Sequence, residues 1–138
     1  MSDIGIQQKG LMNKTHLNNV SDKLPGRIKA RSRRFGELHK LRHTTENVEE
    51  MDFVADGQLV ELGIVIDDSV ALAHARYKSA IELAPIKELA PGIPDEAFFI
   101  KPNILEFRFR NAYVYLRGPS EKKCRELAKD IIQLLSEN

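Results

Sequence analysis

The stretch that most constrains the fold is residues 103–135, where strand pattern, turn chemistry and helix capping agree. Two runs in its first half alternate between apolar and polar residues, the period of two that is typical of half-buried strands. A two-residue turn between them can pair Asn111 with either Arg110 or Ala112, because Asn tolerates positive φ. Both turns predict a β-hairpin with the same core face, made of Leu105, Phe107, Phe109, Val114 and Leu116.

A helix is predicted directly after the hairpin. Gly118 and Pro119 end the second strand, and Ser120 is a good N-cap residue. Apolar residues then recur at helical spacing, so one side of this helix should pack on the hairpin. The single cysteine, Cys124, lies on that apolar side, which indicates a buried core residue. One cysteine excludes an intrachain disulfide and a Cys-rich zinc site.

The middle of the chain adds further strands and one more helix. Residues 59–66 are apolar and partly alternating, and residues 97–101 form a short apolar run, so we predict a strand at each. For residues 59–66 the start of a long helix is the alternative. Residues 69–84 are Ala-rich and begin at the serine of Asp67-Asp68-Ser69, which predicts a helix. We therefore predict a small α+β domain: a mostly antiparallel sheet of three to four strands, with this helix and that of residues 120–135 packed on one face.

The charge of the chain is divided unevenly along its length. Residues 1–43 hold ten Lys or Arg against three Asp or Glu, whereas residues 44–138 hold eleven against seventeen, giving +7 and −6. Residues 1–22 are polar with no steady apolar period, which is typical of a mobile tail or of a segment that is ordered only by a partner. We expect a polar and then basic N-terminal arm over 1–50, flexible or helical in part, and a single α+β domain over 51–138.

Residues 23–43 are strongly basic and suit contacts to phosphate groups. Two other interpretations stay open: a solvated basic helix that packs through its apolar residues, or an arm that answers the acidic stretch at residues 46–56. That acidic stretch is expected to be a solvated linker or helix end. The candidate phosphate-binding residues are Lys23, Arg27, Lys29, Arg31, Arg33, Arg34, Lys40 and Arg42.

The outer face of the predicted hairpin is a second candidate surface. Aromatic rings flanked by guanidinium groups on an open sheet can stack on bases and neutralise phosphates. The same residues are also ordinary cross-strand pairs on a solvent face, each contributing roughly 0.2–1 kcal/mol. The candidate residues on this face are Arg108, Tyr113, Tyr115 and Arg117.

Motifs of catalysis, metal binding and membrane insertion are not found in the sequence. No residues have the spacing of a P-loop, a dinucleotide fold, a nucleophile elbow or a zinc protease. His39 and His43 are four residues apart but have no further ligands nearby, and His74 lacks a nucleophile. No apolar run approaches the ~20 residues of a membrane span. Because the N-terminus has no signal pattern, an intracellular setting is expected, cytoplasmic or nuclear.

The sequence favours a binding role over catalysis. The leading hypothesis is a non-catalytic nucleic-acid-binding or nucleic-acid-associated protein, without a cofactor, whose basic arm contacts phosphates. The alternative is an adaptor or assembly subunit whose basic tail docks on an acidic protein partner. Association of identical copies is left open, because a short sheet with an open edge often pairs.

The end of the hairpin also resembles part of a known DNA-binding family. The run from Tyr113 to Gly118, followed by Ser120-Glu121 and the last helix, looks like the strand-strand-helix end of a TATA-binding-protein repeat. The second repeat of that family is absent here, and its phenylalanine wedges have no secure counterparts. What the resemblance implies is a helix packed across a sheet and contact with DNA.

Overall fold

The structure is a computed structural model that describes residues 11–23, 48–55, 57–84 and 87–137. Within them the chain forms three helices, which are α1 (Lys14–Lys23), α2 (Val70–Leu83) and α3 (Glu121–Ser136). It also forms six strands, which are β1 (Val48–Ala55), β2 (Gln58–Ile66), β3 (Glu88–Leu89), β4 (Glu96–Lys101), β5 (Ile104–Phe109) and β6 (Ala112–Arg117).

The strands form one antiparallel sheet in the order β1-β2-β6-β5-β4-β3. β1 lies at one edge, and β3, with two residues, lies at the other. The α+β class is therefore confirmed, whereas the described residues contain more strands and more helices than the sequence predicted. The N-cap predicted at Ser120 is confirmed, since Ser120 Oγ accepts from the Lys123 N–H at 3.1 Å. The helix start predicted at Asp67-Asp68-Ser69 is also confirmed, and there Ser69 Oγ accepts from the Leu72 N–H at 3.1 Å.

β1 occupies the acidic stretch that was expected to be a linker or a helix end. It pairs with β2 along its whole length, from Val48 opposite Val65 to Ala55 opposite Gln58. The connection has two positions, 56 and 57, and Gly57 has a φ of 78°. Asp-Gly is among the strongest hairpin-turn signals. The acidic composition of residues 46–56 favoured a linker, although the Asp-Gly dipeptide at positions 56 and 57 indicates the hairpin between β1 and β2.

One face of the sheet carries the main apolar core and is covered by α1 and α3. The predicted core face of the hairpin is confirmed, because all five of its residues belong to this cluster. β2 contributes the alternate residues Val60, Leu62, Ile64 and Ile66. α3 contributes Cys124, Leu127, Ala128, Ile131 and Leu135.

α1 begins in the segment, residues 1–22, for which a mobile tail was one expectation, and that expectation is wrong for residues 11–22. Met12, Leu17 and Val20 are buried in the main core. The Asn19 side chain donates a hydrogen bond of 3.0 Å to the Glu137 carbonyl near the end of α3. The three apolar residues stand among Asn, Thr and Lys, so the apolar stripe of the segment is weak. Packing against the core and α3, more than intrinsic helix propensity, therefore stabilises α1.

α2 packs on the opposite face of the sheet from α3, which corrects the prediction that both helices share one face. Its Tyr77 ring meets Phe98 edge-on, with 5.5 Å between ring centroids, in a cluster that also contains Val65 and Tyr113. The strand positions assigned to the solvent side carry large side chains, so this face also needs a cover. α1, which was not predicted, lies beside α3 on the first face.

The β5–β6 turn consists of Arg110 and Asn111, because Phe109 pairs with Ala112. Positive φ occurs at Arg110, at 55°, rather than at the asparagine. The Arg110 N–H donates to Asp95 Oδ2 at 2.7 Å, which stabilises this unfavourable conformation. The Asn111 side chain instead connects the Met12 backbone to the Asp67 carbonyl.

Candidate functional site

Polar side chains from α2, from β4 and the residue before it, and from β5 meet on the face of the sheet that α2 covers. Glu96 Oε2 lies 2.6 Å from His74 Nδ1 and accepts a hydrogen bond of 2.5 Å from Arg108 Nε. Arg108 Nη1 also donates to Asp95 Oδ2 at 3.3 Å and to the Arg110 carbonyl at 2.8 Å. We call His74, Asp95, Glu96 and Arg108 the polar cluster.

The electrostatics of the polar cluster keep Glu96 ionised. Burial by itself would raise the pKa of Glu96, but the hydrogen bonds from Arg108 and His74 hold it below its ordinary value. A carboxylate that orients an imidazole is one part of a general-base arrangement. Cys124 does not complete it, because it lies on the opposite face of the sheet, where burial raises its pKa and its thiol hydrogen-bonds the Asn103 carbonyl.

A second polar contact lies deeper, between neighbouring strands under α2. Glu106 is 2% exposed and accepts a hydrogen bond from the Tyr113 hydroxyl, whose side chain is fully buried. Burial raises the pKa of Glu106 to about 7, although the hydrogen bond from Tyr113 opposes this. Burial, followed by the charge of Glu106, also raises the pKa of Tyr113 well above its usual range.

The middle of α2 is joined to the residue that follows β2 by a buried ion pair. Arg76 donates to both carboxylate oxygens of Asp67, from Nη2 to Oδ1 at 2.9 Å and from Nε to Oδ2 at 3.1 Å. Both side chains are almost completely buried. Forked pairs of this kind fix geometry as well as charge, so we assign the pair to the docking of α2.

The four candidate residues of the hairpin face are not brought together as one open surface. Tyr113 is buried under α2, and Arg108 is held by the polar cluster. Tyr115 is partly buried, and Arg117 is exposed. Burial raises the pKa of the Tyr115 hydroxyl, while the charge of Arg117 opposes that effect. Only these two residues keep the accessibility that stacking or phosphate contact requires.

Next to Tyr115 and Arg117, the same face of the sheet carries exposed apolar side chains. Val54 and Leu59 are cross-strand partners in the β1–β2 hairpin and are 41% and 48% exposed. Glu61 stands opposite Arg117 in the β2–β6 pairing. We call Val54, Leu59, Glu61, Tyr115 and Arg117 the open strip. Its apolar end was missed because β1 was not predicted.

Most of the basic segment lies outside the described residues. Lys23 is the last residue of α1, and its Nζ lies 3.4 Å from Glu137 Oε1 in an exposed pair. His39 and His43 also lie outside the described part of the chain. The same is true of the remaining basic candidates, Arg27, Lys29, Arg31, Arg33, Arg34, Lys40 and Arg42.

The part of the chain that the structure describes contains no group of three or more His, Cys, Asp or Glu side chains arranged to hold a metal ion. None of its helices has the length and apolar character needed to span a membrane.

Comparison with known proteins finds no family model, no curated protein and no solved structure that matches this chain. The resemblance of the hairpin and last helix to a TATA-binding-protein repeat therefore rests on the quoted residues alone.

Proposed function

We propose that this protein is a non-catalytic, nucleic-acid-associated protein that binds phosphates through its basic segment, residues 23–43. The observation that carries the proposal is the division of charge along the chain, with +7 in residues 1–43 and −6 in residues 44–138. A polyanion is attracted to the first region and repelled by the second. The folded body would therefore contribute little to the affinity for phosphate.

The position of the segment between two packed elements supports this role. α1 ends at Lys23 and is anchored in the main core by Leu17 and Val20, and β1 begins at Val48. The other basic residues of the segment therefore lie between α1 and β1 along the chain.

The arrangement of the hairpin favours phosphate contact over base stacking. Successive aromatic rings provide stacking in proteins that bind single strands. Here Tyr113 is buried and Arg108 is engaged in ion pairs, which leaves Tyr115 and Arg117. We therefore propose binding with little sequence preference and no strong preference for single strands.

The test is the affinity for a generic DNA duplex, followed by fluorescence anisotropy over a salt series. A variant with Arg31→Gln, Arg33→Gln and Arg34→Gln should have a slope of log affinity against log salt that is less negative by roughly 3, because each lost phosphate contact removes about 0.9 from its magnitude. Charge-matched substitutions on α3, Lys122→Gln, Lys123→Gln and Lys129→Gln, are the control and should leave the slope nearly unchanged.

Two results would contradict the proposal: no binding by the intact chain at low salt, or equal losses in the two triple variants. Point substitutions are preferred to a truncation of residues 1–43. Such a truncation would remove Met12, Leu17 and Val20 from the core, and lost binding would then report unfolding.

A role as a protein adaptor or assembly subunit is the second candidate, and the open strip favours it. β1 is an edge strand of eight residues, and in the described part of the chain it pairs with β2 alone. An edge strand can pair with a strand of another chain, and the exposed Val54 and Leu59 provide apolar contact beside it. An acidic protein would in addition be attracted to the basic segment.

Sedimentation velocity over a concentration series tests the simplest form of this role, association with a second copy. Leu59→Lys should abolish a concentration-dependent dimer. Leu83→Lys is the control, because Leu83 is 75% exposed at the end of α2 and lies outside the open strip. A monomer at all concentrations would exclude self-association, and a dimer that survives Leu59→Lys would exclude the strip as its interface.

A further inference from the structure

A groove lies between the loop that joins β3 to β4 and one side of α3. Its volume is about 410 Å³, within the range of roughly 300–1,000 Å³ that is usual for small-molecule sites. The lining combines apolar side chains with two cations, and no carboxylate takes part in it. The residues that matter for binding are Pro91, Ile93, Pro94, Arg125, Lys129 and Ile132.

The loop wall of the groove is held in place by the chain itself. The Ala90 N–H donates a hydrogen bond of 2.9 Å to the Ala97 carbonyl, which closes the base of the loop. Ile93 is 9% exposed and belongs to the main core. Pro91 and Pro94 restrict the backbone between these points. A preformed wall of this kind reduces the ordering cost of binding a ligand.

The helical wall places two positive charges beside an apolar side chain. Arg125, Lys129 and Ile132 follow one another at intervals of four and three residues, so they lie on one side of α3. Arg125 Cζ is 5.1 Å from the centre of the Phe99 ring, and its Nε donates to Glu121 Oε2 at 3.2 Å. Within the described chain, no acidic side chain forms an ion pair with Lys129.

We propose that this groove binds a small organic anion with an apolar body, such as a carboxylate on a short hydrocarbon chain. The carboxylate is held between the Arg125 guanidinium and the Lys129 ammonium, because a planar guanidinium matches the two oxygens of a carboxylate. The hydrocarbon contacts Ile93, Ile132 and the two proline rings. This site is separate from the basic segment and does not depend on nucleic-acid binding.

The test is a titration of the intact, ¹⁵N-labelled chain with sodium octanoate, followed by amide chemical shifts. The proposal predicts shifts concentrated at the loop of residues 90–97 and at residues 125–132 of α3. Acetate carries the charge without the chain, and octylammonium carries the chain with the opposite charge. Both should bind at least about tenfold more weakly than octanoate, because acetate lacks the hydrocarbon chain and octylammonium lacks the carboxylate.

Matched substitutions on α3 show whether charge in the groove is responsible. Lys129→Glu places a carboxylate four residues after Arg125, where the two can pair, so the affinity for octanoate should fall about tenfold or more. Lys122→Glu makes the same change of charge on the same helix outside this groove and should leave the affinity unaltered. Lys122 and Lys129 are both exposed, and the amide spectrum of each variant shows whether the fold is kept.

Three results would overturn the proposal. One is the absence of saturable shifts at the groove, and another is binding of octylammonium as tight as that of octanoate. The third is an equal affinity of the Lys129→Glu and Lys122→Glu variants for octanoate. Saturable shifts at the groove that are weakened by Lys129→Glu alone would establish the site.

Discussion

The face of the sheet under α1 and α3 buries aliphatic and aromatic side chains, whereas the face under α2 buries Glu106 and the hydroxyl of Tyr113 beside Phe98. The two faces come from the same strands through the alternation of side chains. On the first face stability comes from the removal of apolar surface from water. On the second face it also depends on the pairing of charged and polar groups.

This difference limits what the α2 face can bind. The guanidinium of Arg108 and the ring of Tyr113, which the sequence suggested for nucleic-acid contact, are used inside the fold. On this face of the sheet, the open strip carries side chains that stay exposed to solvent, such as Leu59 and Arg117. The basic segment is the other surface that keeps a binding role in our proposal.

The largest loss of stability is expected when the buried ion pair between Asp67 and Arg76 is disrupted. Asp67→Ala leaves the Arg76 charge buried without its carboxylate partner, so the free energy of unfolding should fall by about 3–5 kcal/mol. Urea denaturation measures this. The double substitution Asp67→Leu with Arg76→Leu should cost less than Asp67→Ala, because no unpaired charge is left. A loss below about 1 kcal/mol for Asp67→Ala would contradict the buried pair.

On the apolar face, Leu17→Ala tests whether α1 belongs to the core. Leu17 is 1% exposed, so the lost contacts and the cavity should cost about 2–5 kcal/mol of unfolding free energy. Thr15→Ala, at an exposed position of the same helix, is the control and should change the stability little. Equal stabilities of the two variants would show that α1 does not pack as described.

A pH dependence distinguishes the polar face from the apolar one. The pKa of Glu106 is about 7 in the folded protein against 4.5 for the unperturbed group, so the folded state binds its proton at higher pH than the unfolded state does. The stabilisation is therefore present below pH 4.5 and is lost as the pH rises through 7. The loss should amount to about 1–3 kcal/mol.

Glu106→Gln should remove this contribution, because Gln keeps an acceptor for the Tyr113 hydroxyl but does not titrate. The measurement is urea unfolding of both proteins at pH 5 and pH 8. The wild-type protein should lose more stability between these pH values than the variant. Identical changes in the two proteins would show that Glu106 does not titrate as described.

The smallest effect is expected at the rim of the α2 face. The His74 side chain is 49% exposed in its contact with Glu96, so solvent screens the pair and His74→Ala should cost no more than about 1 kcal/mol. Glu96→Gln should cost more, because it also weakens the contact with the less exposed Arg108. Urea denaturation of the two variants compares them, and the reverse order would contradict the arrangement of the polar cluster.

Local signals in the sequence were sufficient for the β5–β6 hairpin, its core face and the two serine-capped helices. They were insufficient where distant residues decide the structure. α1 depends on its contact with α3, and the face that α2 covers depends on Phe98 and Tyr113. The polar cluster joins His74 to Glu96 across 22 positions and Glu96 to Arg108 across 12. No local motif indicates such a contact. For β1, in contrast, a local signal was present but not used: the Asp-Gly pair before Gln58 is typical of a hairpin turn.

The most direct test of the central claim compares nucleic-acid binding by the basic segment with binding by the hairpin. The salt-dependent affinity for a generic duplex and a generic single strand would be measured for two variants. One carries Arg31→Gln, Arg33→Gln and Arg34→Gln, and the other carries Tyr115→Ala and Arg117→Gln. We predict that the first loses affinity for both ligands, with a salt slope smaller in magnitude by roughly 3 for the duplex and roughly 2 for the single strand, while the second stays near the intact chain. Loss of single-strand binding in the second variant alone would contradict the account and assign the site to the hairpin.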